Sequence, residues 1–111
     1  MVKKALAVRL VAKHGKEAAV ESFLNSGLEL VKQEPLTVTW YAVKFDDRTF
    51  GIFDAFDADE GRDAHLNGKV AEALMANASE LLASPPEIFK VDVIAVKSSG
   101  SRTSATNARR D

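Results

Sequence analysis

"LTVTWYAVKF" (36–45), "DDR" (46–48) and "TFGIFDAF" (49–56) make up the stretch on which the fold turns. Both outer pieces are rich in β-branched and aromatic residues, which suit a pleated, half-buried surface. The short polar piece between them has room only for a turn, so the pair reads as an antiparallel hairpin. What stands on either side of the hairpin then decides the architecture.

Upstream, residues 16–33 carry Val20, Phe23, Leu24, Gly27, Leu28 and Val31 at spacings of three and four, one stripe of an amphipathic helix. Pro35 disfavours helical geometry at Glu34 and ends it. Before the helix, residues 3–13 ("KKALAVRLVAK") alternate with period two and read as a strand, closed by a turn at "HGK". Downstream of the hairpin, residues 58–67 read as a short helix with Asp57 or Asp59 as N-cap, stopped by Asn67-Gly68. A longer helix follows, with Val70, Ala73, Leu74, Asn77, Ala78 and Leu81 as its inner stripe, stopped by "SPP" (84–86). "EIFKVDVIAVK" (87–97) reads as the last strand. The order β-α-β-β-α-β, its second helical segment broken in two, predicts a ferredoxin-like α+β domain over residues 1–97: an antiparallel four-stranded sheet with helices on one face. Residues 98–111 ("SSGSRTSATNARRD") hold too little apolar surface to repay ordering and are expected to form a flexible tail.

One helix layer covers one sheet face. Leu6, Val8, Leu10, Phe50, Ile52, Phe56, Phe89, Val91 and Val93 are assigned to it by alternation. The opposite face is then Ala5, Ala7, Arg9, Val11, Phe53, Ala55, Ile88, Ile94 and Val96. A face meant for water should be mostly polar, and an apolar patch of this extent marks an interface. The simplest cover is a second copy related by a two-fold axis, with Arg9, Val11, Phe53, Asp92 and Ile94 in the contact. Arg9 and Asp92 are expected to pair there, because unpaired charges are costly once covered. The competing arrangement is a monomer with a partly apolar sheet.

Composition narrows the function classes. A net charge of −1 gives no basic field for a nucleic acid backbone. No apolar run approaches the length of a membrane helix, and the start of the chain lacks a signal peptide's continuous apolar stretch, which places the protein in the cytoplasm as an expectation. The chain has no cysteine, hence no disulfide, thiolate nucleophile or thiol-rich metal site. His14 and His65 are the only histidines and show no metal-ligand spacing. No glycine-rich phosphate loop is present.

The βαββαβ order resembles the dimeric α/β-barrel superfamily. "FGIFDAFDADEGRDAHLNG" (50–68) resembles the end-of-strand-three motif of the antibiotic-biosynthesis-monooxygenase-like (ABM-like) proteins: an apolar strand (Ile52), an acid (Asp54), an aromatic (Phe56), an acidic helix start (Asp57 to Glu60), then Ala64-His65. The similarity spans residues 3–97. It implies a pocket between sheet and helices in each subunit. Some members of the family oxygenate aromatic polyketides or quinols with O2 and no cofactor, and close relatives degrade haem. Position 56 is Phe where many members carry Trp. Haem degraders use an Asn in the first strand, and "ALAVRLV" offers none, which disfavours haem chemistry.

The site expected from these residues centres on His65 and Asp54. Asp54 shares a face with Ile52 and Phe56, so it points at the helices and needs a partner. Arg62 and His65 are one helical turn apart and either could reach it. The pocket would be lined by Trp40, Phe50, Ile52 and Phe56, with Arg62 and Asn77 as further polar groups. A carboxylate-tuned imidazole there could deprotonate a phenol or anthrone, whose carbanion meets O2 directly. The alternative role of the pair is structural, locking strand to helix. Trp40 faces either the pocket or the other side, since its strand is apolar on both. No cofactor or metal is expected. The functional readings are a cofactor-independent monooxygenase of a small aromatic or quinol compound and a non-catalytic, small-ligand-binding or stress-associated dimer.

Overall fold

The computed structural model describes residues 1–97; the tail expected at 98–111 lies outside them. The elements are β1 (Lys4–Val11), α1 (Glu17–Val31), β2 (Thr39–Lys44), β3 (Thr49–Phe56), α2 (Asp59–Leu66), α3 (Lys69–Leu81) and β4 (Glu87–Asp92). The strands form one antiparallel sheet in the order β2-β3-β1-β4. This is the ferredoxin-like α+β architecture expected from the hairpin and its flanking helices.

The hairpin turn is closed by Asp46, whose Oδ1 accepts from the backbone N–H of Arg48 at 3.0 Å and of Thr49 at 2.8 Å. These bonds hold its carboxyl below the ordinary range, the one from Arg48 contributing most. Arg48 in turn donates from Nε and Nη2 to the Ala12 carbonyl at 3.2 and 3.1 Å, clasping the hairpin to the end of β1. The "HGK" turn holds Gly15 at φ 87°, a left-handed conformation that side chains with a Cβ disfavour. The core joins Leu10, Phe50 and Ile52 of the sheet to Val20, Leu24 and Leu74 of the helices.

β4 departs from the expected faces. Its register sets Ile88 opposite Val8, Lys90 opposite Leu6 and Asp92 opposite Lys4, so these residues lie on the helix side. Phe89 and Val91 therefore lie on the open side, not inside. The expected Arg9–Asp92 pair is absent because the two residues sit on opposite faces. Arg9 Nη1 instead meets Glu87 at 3.5 Å, and Lys4 Nζ meets Asp92 at 3.0 Å. The strand also stops at Asp92; Ile94 lies past the ladder and is fully exposed. The alternation of "IFKVDV" argued for the other setting because its odd positions are the more apolar ones. The β1 register overrides it, placing those residues on the face that no helix covers. That face exposes Tyr41, Val43, Phe53 and Phe89, with Phe45 beside them.

The N-cap of α2 is Ala58 rather than Asp57 or Asp59, and no side chain caps it. Asp59 and Glu60 instead stand in the first turn, where the helix dipole favours acids. Among the described residues no helix is long and apolar enough to cross a membrane.

Candidate functional site

Three segments converge under the helices. The end of β3 contributes Asp54, the last turn of α2 contributes His65, and the α1–β2 connection contributes Glu34. Asp54 is 1% exposed and His65 6%. The imidazole is held on both edges: Nδ1 lies 2.5 Å from Glu34 Oε1, and Nε2 lies 3.0 Å from Asp54 Oδ2. Thr37 Oγ1 donates to the same Glu34 oxygen at 2.8 Å, steadying it from the surface side. The Phe56 ring packs against the imidazole at 5.6 Å between centroids.

Burial, the strongest single influence, pulls the His65 pKa down. The contacts with Asp54 and Glu34 and the charges of both carboxylates act the other way and together prevail, holding the pKa above its ordinary 6.5. The geometry gives each ring nitrogen its own carboxylate, which favours the protonated imidazole. The two carboxylates sit on opposite edges of the ring and cannot converge on an ion. Among the described residues no group of three His, Cys, Asp or Glu side chains is placed to hold a metal.

Above this cluster lies a narrow, mostly apolar cavity lined by Leu6, Phe23, Gly27, Trp40, Ile52, Asp54, His65, Val70 and Leu74, among others. Water-sized spheres can centre in about 30 Å³ of it, room for about one or two waters. Ile88 belongs to the lining and is 42% exposed, which places the mouth at the β4 side. Three polar atoms of the lining residues, Trp40 Nε1 and both Asp54 carboxylate oxygens, are buried with no hydrogen-bond partner among the described residues; Asp54 Oδ2 meets the imidazole as an ion pair at 3.0 Å. The Trp40 side chain rests on α1 at Gly27, where an added Cβ would come within 3.6 Å of the indole and 3.3 Å of Val70 Cγ2.

Of the residues singled out in the sequence, Trp40, Ile52, Asp54 and His65 line the cavity. Phe50 is buried in the main core instead, and Phe56 backs the imidazole from outside the cavity. Arg62 does not reach Asp54. Its Nη1 donates to the Ala5 and Val91 carbonyls at 3.3 and 3.1 Å, and Nη2 meets Asp59 at 3.2 Å, so it clamps α2 to β1 and β4. Asn77 bonds back to the Ala73 carbonyl of its own helix at 2.8 Å and takes no part in the lining. Glu34 went unrecognised, hidden beside the proline that ends α1. Asn67-Gly68 does interrupt the helix, between Leu66 and Lys69, although the φ of Gly68, −89°, is one any residue adopts. Gly68 is small for another reason: a Cβ there would come 2.9 Å from Glu34 Oε2.

A Nitrosomonas europaea protein of unknown function is 57% identical to this chain, superposes with a TM-score of 0.85, and the match covers 87% of this chain and 94% of that one. The chain belongs to this protein's family. Its fold is that of the ABM-like proteins, in line with the resemblance carried by residues 50–68. A protein named "putative antibiotic biosynthesis monooxygenase" from N. europaea has a TM-score of 0.74 at 15% identity, over 83% of this chain and 90% of that one. One of the same name from Caulobacter crescentus has a TM-score of 0.73 at 15% identity, over 85% and 92%. No protein-family model and no curated protein matches the chain.

Proposed function

We propose that the chain is an ABM-like monooxygenase that oxidises a small phenolic or quinol compound with O2 and needs no cofactor. The observation that carries this reading is the buried Asp54–His65–Glu34 cluster at the floor of an otherwise apolar cavity. Such a placement fits a site that removes a proton from an apolar substrate. Both imidazole nitrogens are engaged, so the group left to accept a substrate hydroxyl proton is Asp54, through Oδ1. His65 orients that carboxylate and balances its charge; Glu34 fixes the ring. The electron-rich anion then reacts with O2. A quinol plus O2 gives a hydroxyquinone plus water, a balanced four-electron oxidation with no outside reductant. The chain would work in the cytoplasm as a two-fold dimer. The exposed row of Tyr41, Val43, Phe53 and Phe89 supports a twin molecule as its cover, centred on Arg9, Val11 and Phe53 rather than on Asp92 or Ile94.

The narrowness of the cavity favours a second reading, a small-ligand-binding protein of the same fold without turnover. An oxygen electrode separates the two. With hydroquinone or 1,8-dihydroxyanthrone as substrate, the first reading requires O2 uptake above the uncatalysed rate and its loss in Asp54→Asn with the fold intact by circular dichroism. Uptake no faster than the buffer control, with either compound bound, leaves the second reading.

A further inference from the structure

We propose that the cavity is a hydration site, in which a buried water ties the Trp40 indole to the Asp54 carboxylate and makes Trp40 a positioning residue of the Asp54–His65–Glu34 cluster. The inference goes beyond the proposed function and does not depend on it, since the water is expected with or without turnover.

Trp40 and Asp54 are direct cross-strand partners in the β2–β3 ladder, and both side chains line the cavity. Residues so placed have Cα atoms about 4.5–5.5 Å apart and project from one face of the sheet. Their three buried polar atoms, Trp40 Nε1 and the two Asp54 oxygens, have no hydrogen-bond partner among the described residues. Buried polar groups left in that condition are costly, and native proteins keep few of them. The indole N–H can only donate, and the carboxylate oxygens accept. One donor and two acceptors are the complement of a water molecule, which accepts from the first and gives its two hydrogens to the others. Buried waters make about three such bonds. The size agrees: water-sized spheres can centre in about 30 Å³ of the cavity, which suits about one or two waters and excludes an organic ring. The position agrees as well. Leu6, Ile52, Val70 and Leu74 offer only carbon, and each His65 nitrogen already faces a carboxylate, so the polar corner between Trp40 and Asp54 is where a water is held. Asp54 is then gripped from two sides, by the imidazole at Oδ2 and by the water that Trp40 anchors. The connected row runs from the edge strand β2 through Asp54 and His65 to Glu34.

Trp40 is the chain's only tryptophan, so it gives a single indole N–H resonance. Cross-relaxation between that proton and water is measured on the full chain. Laboratory-frame and rotating-frame effects of opposite sign mark a long-lived neighbouring water; equal signs mark mere proton exchange. The expected result is opposite signs in the natural chain. In Trp40→Phe, which keeps a ring and loses the N–H, oxygen-17 relaxation dispersion should report about one long-lived water fewer. The nitrogen resonances of the His65 ring should move in the same variant, which packing alone does not require. An indole N–H without a long-lived water in the natural chain overturns the inference, and this reading stands even where the variant fails to fold. An unchanged water count in folded Trp40→Phe overturns it too, and unmoved His65 nitrogens remove the positioning role. O2 uptake is recorded on the same samples. The water without uptake keeps the inference and removes the monooxygenase; uptake without the water does the reverse.

Discussion

Removing the His65 ring should cost this fold a large part of its stability, and the cost should be concentrated on one carboxylate. In His65→Ala, Glu34 keeps the Thr37 hydroxyl at 2.8 Å and is partly exposed. Asp54, 1% exposed, keeps nothing, since neither of its oxygens has another partner among the described residues. Breaking a buried ion pair from one side costs about 3–5 kcal/mol. At the lower figure, a domain of this size loses about 12–24 °C in Tm. Neutralising the stranded group should return much of that loss, so Asp54→Asn/His65→Ala is expected to be more stable than His65→Ala. The double variant also serves as the reference for pH, because it lacks both titrating partners. The folded pKa of His65 lies above its ordinary 6.5, so its share of the stability is complete below about 6.5 and is lost as pH rises through the folded value. The stability of the natural chain relative to the double variant should therefore shrink as pH rises above about 6.5. Urea unfolding followed by circular dichroism measures all three proteins. A double variant no more stable than the single one, or a gap that widens with rising pH, would refute the reasoning.

Gly61 packs α2 against the hairpin entry, and an added Cβ would come 3.0 Å from the Leu36 carbonyl. Gly61→Ala is expected to destabilise by about 1–3 kcal/mol by pushing the helix off the sheet, and to shift the His65 ring resonances with it. Gly15→Val should lower stability by about 1–2 kcal/mol through its positive φ, with ligand binding unchanged. Arg62→Ala should cost about 1–3 kcal/mol, read by urea unfolding, by leaving the Ala5 and Val91 carbonyls short of a donor. In sedimentation velocity at one concentration, the natural chain is expected to run as a dimer and Phe53→Glu, on the open face, as a monomer; identical sedimentation would remove the twin-molecule cover.

The hairpin, the helices and the depth of Asp54 were legible because each rests on a local pattern: β-branched runs, a three-and-four spacing, an acid flanked by apolar residues of its own face. Three things were not. The faces of β4 depend on its ladder with β1, and "IFKVDV" is apolar on the parity that ends up outside. That mismatch is informative in itself, since an outward row richer in carbon than the inward one suits a face awaiting cover. Arg62 was placed correctly on α2 but misdirected, because the backbone carbonyls it grips are invisible as sequence. Glu34 joins His65 only after the chain has passed through two strands. Nothing in "QEPLT" marks it apart from the proline, which speaks about backbone and not about the carboxylate beside it.

The helices pack chiefly over β1, β2 and β3 and leave the inner side of β4 half bare. A guest arriving beside Ile88 would meet that bare strand first, with Arg62 and His65 still fastening α2 to the sheet and every rung between the strands left intact. Amide exchange should record that division as two clocks in one molecule: a slow one in the paired central strands β1 and β3, and a fast one along the edge strand β4.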